Sequence, residues 1–177
     1  MSENSINFFL SKLKSPHRIK LALPEKDSRV DEAKQILSNF GLNISDVNIS
    51  KDKSIYIDVL KKLKFSKNWP DVNLEEYLID PFIQSLVMLR NRELDGVICG
   101  CTMPTSDIIR NSIRIIGIKK NIRWLSSMFL MSNRNNDRVY SFADCAVIPE
   151  PTSEQLCDIA IQASVMHEIL TDEPSKV

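Results

Sequence analysis

The sequence predicts an α/β fold with a mainly parallel sheet flanked by helices, and three observations carry that expectation. An alternating strand, Ile19-Lys20-Leu21-Ala22-Leu23, passes through Pro24 into a helical pattern that Gly41 closes. A short apolar run over residues 94–100 is again followed by a small-residue turn and a helical pattern. A polar turn and one long terminal helical pattern complete the alternation of strand and helix periods.

The elements follow in order. Ile6, Phe9, Leu10 and Leu13 repeat with helical spacing and predict an amphipathic helix over residues 3–14, stopped by Pro16. Asp27 or Ser28 is placed to cap a helix with the face Val30, Ala33, Leu37 and Phe40, ended by Gly41. Residues 42–54 are polar and weakly patterned, and predict only a short strand over 47–49. Ile57, Leu60 and Leu63, with Val59, predict a Lys-rich helix over about 54–64, followed by a loop through Trp69-Pro70. Asn73 is placed to cap a short helix. Asp80-Pro81 opens another in the favoured order of cap then proline, with Phe82, Leu86, Val87 and Leu89 apolar up to Arg92.

Residues 94–100 read as a central strand. A turn over 101–105 leads into a helix over 107–116 stopped at Gly117, with Ile109, Ile113 and Ile116 toward the core and Ile108 and Ile115 flanking. Residues 124–130 and 138–143 are strand-like and are joined by the turn-forming segment 132–137, which predicts a hairpin. Thr152-Ser153-Glu154-Gln155 has capping-box spacing, and Leu156, Ile159, Ala160, Ala163 and Met166 form the expected buried stripe of a helix reaching Leu170.

Composition narrows the function. The 177 residues carry 23 Lys+Arg against 23 Asp+Glu, so no basic excess exists to bind a polyanion by counterion release, and no nucleic-acid partner is expected. The two histidines, His17 and His167, lie far apart with no ligand pattern around them, so neither a bound metal nor a Ser-His-Asp triad is expected. The four glycines, Gly41, Gly96, Gly100 and Gly117, form no GxGxxG and no Walker A loop. Cys99, Cys101, Cys145 and Cys157 form no CxxC pair and read as reduced thiols. With an acidic N-terminus and no apolar run long enough for a bilayer, the expected location is the cytoplasm, without membrane contact.

The most informative stretch runs from Gly100 to Arg114: a strand end, a turn, Thr105-Ser106-Asp107, then a helix carrying Arg110 and Arg114. Open amides and the positive end of the helix dipole suit such an N-terminus to an anion. Arg110 lies four residues after Ser106, and long helical side chains lean back toward the N-terminus, so its forked guanidinium can reach phosphate oxygens there. The hydroxyls of Thr105 and Ser106 add donors. A plain helix cap, with Asp107 in the first turn and two solvated arginines, fits the same spacing. Asp144-Cys145 ends a strand, either as a site at a sheet's carboxyl edge or as a turn satisfying backbone donors. Ser126-Ser127 fits packing better than chemistry, and Lys61, Lys62 and Lys64 fit a solvated helix face.

Longer tracts carry a resemblance that spacing does not. The run Phe142-Ala143-Asp144-Cys145-Ala146-Val147-Ile148-Pro149-Glu150-Pro151-Thr152-Ser153-Glu154-Gln155-Leu156 resembles the "DCA-N-P-x-P-T-x-E-Q-L" signature of phosphate acetyltransferases, in the phosphate acetyl/butyryl transferase family. Gly96-Val97 to Gly100, then Thr105-Ser106-Asp107 to Arg110, is similar to the family's "DG-x-V-x-G … T-x-D-x-x-R". Residues 115–131 resemble its "Q-I-I-x-T … L-V-S-S-x-F-x-M", and Leu23-Pro24-Glu25 with Asp27 and Arg29 resembles "LPE-x-x-D-x-R".

The resemblance implies the reversible reaction acetyl-CoA plus phosphate to acetyl phosphate plus CoA, by direct attack in a ternary complex. It implies CoA as a substrate, no tightly bound cofactor, a homodimer or other self-association, and a two-domain architecture like that of isocitrate and isopropylmalate dehydrogenases. Residues 1–123 would form most of the first domain and 124–177 the start of an incomplete second. Arg110, Ser106 and Thr105 would hold phosphate or acyl phosphate, with Lys64, Ser127 and Asp144 as further candidates. Lys64 falls where the family has an arginine, keeping charge and losing forked recognition. Met103-Pro104 replace a family histidine. The family's Ser, Arg and Asp at the reacting centre fall beyond Val177, so no catalytic residue is assigned, and the chain reads as half a catalytic unit.

Overall fold

A computed structural model describes residues 15–47, 53–132 and 138–177. The helix expected over 3–14, residues 48 and 49 of the expected short strand, and residues 133–137 of the expected hairpin turn lie outside these. Contacts divide the chain into two compact units at Gly117-Ile118.

In the unit up to Gly117, a 3-10 turn over Pro16–Arg18 precedes β1 (Lys20–Ala22). Helix α1 (Ser28–Asn39) starts where Asp27 accepts the Arg29 amide at 2.9 Å, and ends before Gly41, whose φ of 82° only glycine adopts freely. Of its expected apolar face only Val30 is buried, and Phe40 is exposed. Strand β2 is Asn43–Ile44, and Val47, the one described residue of the strand expected over 47–49, lies in the loop beyond it. The turn at Gly41 returns the chain directly beside β1, so the ladder begins at once, Asn43 N donating to Ile19 O (3.2 Å) and Ser45 N to Leu21 O (2.8 Å).

Helix α2 (Lys53–Lys61) buries Ile57 and Leu60. Helix α3 (Asp71–Tyr77) begins earlier than expected: the Pro70 carbonyl accepts the amides of Asn73 and Leu74, so Asn73 sits inside the first turn and does not cap it. Helix α4 (Pro81–Arg90) is capped by Asp80 as expected, at 2.8 Å from the Phe82 amide, and buries Phe82, Ile83, Leu86 and Val87. Strand β3 is only Gly96–Val97. The parallel sheet runs β2-β1-β3, with Leu21 opposite Gly96, so β1 and not the 94–100 run is its middle strand among the described residues.

Helix α5 (Thr105–Ile115) starts two residues before its expected onset. Its core side is also rotated: Ile115 is fully buried and Ile108 packs on the core, while Ile113 and Ile116 are exposed. Two contacts fix that rotation. Tyr77 OH donates to Asn111 Oδ1 at 2.8 Å, and Arg90 Nη1 donates to the Ile115 carbonyl at 2.6 Å, which brings the Ile108–Asn111–Ile115 line against α3 and α4.

In the unit from Ile118, β4 (Met128–Ser132) starts four residues later than the expected 124–130 strand and runs two residues further. It pairs antiparallel with β5 (Val139–Ala143) as the expected hairpin requires, Phe129 opposite Phe142 and Met131 opposite Tyr140. Helix α6 (Ser153–Thr171) opens with a complete capping box: Thr152 Oγ1 accepts the Gln155 amide and Gln155 Oε1 accepts the Thr152 amide. Ser141 Oγ on β5 meets His167 Nδ1 on α6 at 2.8 Å, which marks the hairpin face turned to the helix. The expected buried stripe is only partly covered: Ile159 is buried, but Leu156 and Met166 are exposed. A two-stranded hairpin is too narrow to cover a 19-residue helix. On the hairpin's other face Phe129 is 61% and Phe142 57% exposed, with Met131 and Tyr140 beside them. Among the described residues no helix is long and apolar enough to cross a membrane.

Candidate functional site

The connection after β3 is held by a carboxylate from the connection after β1. Glu25 follows β1 through Leu23-Pro24 and is 7% exposed. Its Oε2 accepts the amides of Gly100 (2.7 Å) and Cys101 (2.9 Å). Its Oε1 accepts the amides of Thr102 (2.6 Å) and Met103 (2.9 Å), and the Thr102 hydroxyl (2.8 Å). Burial pushes this carboxyl up, but the Cys101, Thr102 and Met103 donors outweigh it and hold the pKa at about 2. Gly100 has φ 110°, which turns the first amides of the loop toward the carboxylate. On the outer side Arg29 grips Asp27 through Nε (2.8 Å) and Nη2 (3.0 Å), and Nη2 also reaches the Cys101 carbonyl at 3.4 Å. The Arg29 guanidinium holds Asp27 well below the usual carboxylate range.

Pro104 leads directly from this loop into α5 and occupies its cap position without a side-chain hydrogen bond. The Pro104 carbonyl accepts the Asp107 and Ile108 amides. The amides of Thr105 and Ser106 take no partner among the described residues, leaving two donors at the helix start. Arg110 leans back as the sequence predicts, its Nη1 2.8 Å from Asp107 Oδ1. Thr105, Ser106 and Arg110 therefore share one exposed helix end. Lys64 is exposed just beyond α2.

Ser127 and Asp144 meet each other in the second unit. Asp144 Oδ1 accepts the Ser127 amide (2.7 Å) and hydroxyl (2.5 Å), while Oδ2 accepts the amides of Val147 (3.0 Å) and Ile148 (2.5 Å). Ser127 Oγ in turn accepts the amides of Cys145 and Ala146. Burial raises the Asp144 carboxyl, and these donors, led by the Ser127 hydroxyl, bring it well below its ordinary value. The pair ties the start of β4 to the chain leaving β5, with the Asp144 carboxylate accepting backbone donors there as the turn reading expects. Cys145 Sγ donates to the Phe142 carbonyl at 3.0 Å. No cluster of three metal-ligating side chains occurs among the described residues.

Nothing local in the sequence singles out Glu25 as the organiser of a loop 75 residues away. Its one signal is its place in the Leu23-Pro24-Glu25 tract with Asp27 and Arg29.

Comparison with known proteins follows the same residues. The family model described as Phosphate acetyl/butaryl transferase matches residues 19–177. The phosphate acetyltransferase of Haemophilus influenzae is 34% identical over 144 residues, 81% of this chain and 20% of that protein. That of Escherichia coli is 30% identical over the same shares, and that of Acetivibrio thermocellus 28% identical over 77% of this chain and 42% of that protein. The chain thus spans about a fifth of the length of the first two and under half of the third. Among solved structures, a phosphotransacetylase from Streptococcus pyogenes superposes with TM-score 0.83 at 23% identity, over 96% of this chain and 60% of that one, which shows a shared fold. The match from Ile19 to Val177 takes in all of the motif tracts, and the chain belongs to the phosphate acetyl/butaryl transferase family.

Proposed function

We propose that the chain carries the phosphate-holding part of a phosphate acyltransferase that moves an acetyl group reversibly between CoA and inorganic phosphate. The observation that carries this reading is the start of α5, where Arg110 and the open amides of Thr105 and Ser106 lie on the tract similar to the family's T-x-D-x-x-R. In the forward sense a phosphate oxygen attacks the thioester carbonyl carbon, the C–S bond breaks and CoA leaves as thiolate. In reverse the thiolate attacks acetyl phosphate and phosphate leaves. Either direction needs charge neutralisation and orientation of phosphate more than a protein nucleophile, which suits an arginine at a helix N-terminus. CoA brings its own thiol as a substrate, so Cys145 has no covalent role in this scheme.

The same reading takes the two units as parts of the two domains of a dehydrogenase-like architecture, in a cytoplasmic protein that self-associates. The exposed Phe129 and Phe142 support self-association. A second reading, phosphate or acyl-phosphate binding without turnover, is favoured by the donors at the α5 start, an arginine and two open amides, which hold an anion without themselves reacting.

Release of CoA from acetyl-CoA and phosphate, followed with a thiol reagent, tests both. Release that Arg110→Ala abolishes supports the first. Phosphate-induced thermal stabilisation lost in Arg110→Ala, without release, supports the second. Neither effect in a folded sample contradicts both.

A further inference from the structure

We propose that Glu25 is the resident anion of the 100–103 loop: its carboxylate fills a nest of four consecutive amides, bars inorganic phosphate from that nest, and positions the start of α5. Four successive backbone amides converging on two oxygens is the donor set that a phosphate or sulfate takes in an anion nest. Here all four point at one side chain of the same unit, at 2.6–2.9 Å, with the Thr102 hydroxyl as a fifth donor. The carboxylate is buried, and the pKa of about 2 keeps it charged at any physiological pH.

The geometry has a direct consequence for the neighbouring helix. The amide side of the loop is fixed by Glu25 and the carbonyl side by Arg29 at the Cys101 oxygen, so both anchors come from the β1–α1 connection. Pro104 follows Met103 immediately and begins α5, with no side-chain cap of its own. The direction in which Thr105, Ser106 and Arg110 face is therefore set by Glu25 and not by a local cap. Glu25 is a positioning residue, and this consequence rests on the reading of α5 as the phosphate-holding element. The substrate anion is left the outer site at α5, since the loop's own amides are occupied.

Two variants of the full chain test the proposal. Glu25→Ala empties the nest without adding bulk. Sodium formate, compared with sodium chloride at equal ionic strength, is expected to raise its melting temperature by about 2 °C or more and to leave the native chain unchanged. Inorganic phosphate is expected to stabilise Glu25→Ala beyond its effect on the native chain. Equal shifts in the two proteins, or none in a folded Glu25→Ala, would overturn the resident-anion assignment.

If Glu25→Ala does not fold, Glu25→Gln decides. A carboxamide offers one acceptor oxygen where the carboxylate offers two, so part of the nest loses its partner. Amide exchange at Gly100–Met103 is expected to quicken by about tenfold while Leu86 and Val87 in α4 keep their native protection. Unchanged exchange across the loop overturns the proposal. Titration with inorganic phosphate is expected to show affinity reduced about tenfold in Glu25→Gln, and native affinity there overturns the positioning role. A native chain that binds no phosphate would remove the reading of α5, while the exchange and formate results still decide the identity of the resident anion.

Discussion

Arg110 Nη1 lies 2.8 Å from Asp107 Oδ1, so the guanidinium proposed to grip phosphate is already turned to the start of α5 and held there by a carboxylate three residues back. Both side chains are about half exposed, so the pair adds little to stability. Under the proposed function its weight falls on binding, because an incoming phosphate would compete with Asp107 for the same donors.

Asp107→Asn is therefore expected to tighten inorganic phosphate binding by about two- to fivefold at low ionic strength, measured by titration calorimetry. Weaker binding in that variant would mean that Asp107 orients Arg110 more than it competes for it.

Acid stability follows from Glu25 and Asp144. The Glu25 carboxyl falls from its ordinary 4.5 to about 2 in the folded chain, so its contribution is complete above pH 4.5 and is lost as pH drops toward 2. Asp144, also held below its ordinary 3.8, acts in the same direction. Melting temperature is expected to fall as pH is lowered through this window, and Glu25→Gln to start lower at neutral pH and fall less. Single-tryptophan variants separate the two units, since Trp69 reports on the first and Trp124 on the second. A melting temperature constant from pH 7 to pH 3 would contradict the assigned hydrogen bonds.

The core of the first unit gives a stability test. Leu74 on α3 is fully buried, whereas Val72 two residues earlier is 73% exposed. Leu74→Ala is expected to cost about 2–5 kcal/mol in denaturant unfolding followed at Trp69, and Val72→Ala less than about 0.5 kcal/mol. Equal effects would place Leu74 at the surface.

What was legible in the sequence is what local chemistry decides. Asp80-Pro81, Asp27 with Gly41, and Thr152 with Gln155 mark helix ends because cap and partner lie within a few residues of each other. The rotation of α5 was not legible, because Ile108, Ile109, Ile113, Ile115 and Ile116 form one broad apolar face over nearly half the helix circumference, and spacing alone does not say which edge of that face meets the core. Asn111 decides it through Tyr77, 34 residues away. The order of the strands was hidden for the same reason: the apolar run 94–100 looks central, yet it contributes a two-residue strand at the side of β1. Around the candidate site, Arg110 and its helix were readable from spacing, and the loop that aims them was not, since Glu25 lies 75 to 78 residues before the amides it holds.

The hairpin predicts association. Phe129 and Phe142 are cross-strand partners on its open face, flanked by Met131 and Tyr140. Sedimentation is expected to show concentration-dependent self-association that Phe129→Ser with Phe142→Thr reduces without loss of helical circular dichroism. A native chain that stays monomeric at high micromolar concentration would contradict this.

Whether the start of α5 holds phosphate through Arg110 is decided by calorimetric titration of the native chain and Arg110→Ala with inorganic phosphate at constant ionic strength. Saturable binding in the native chain, weakened at least about tenfold in a folded Arg110→Ala, is the predicted result. Equal binding by the two proteins, or none by the folded native chain, would contradict it.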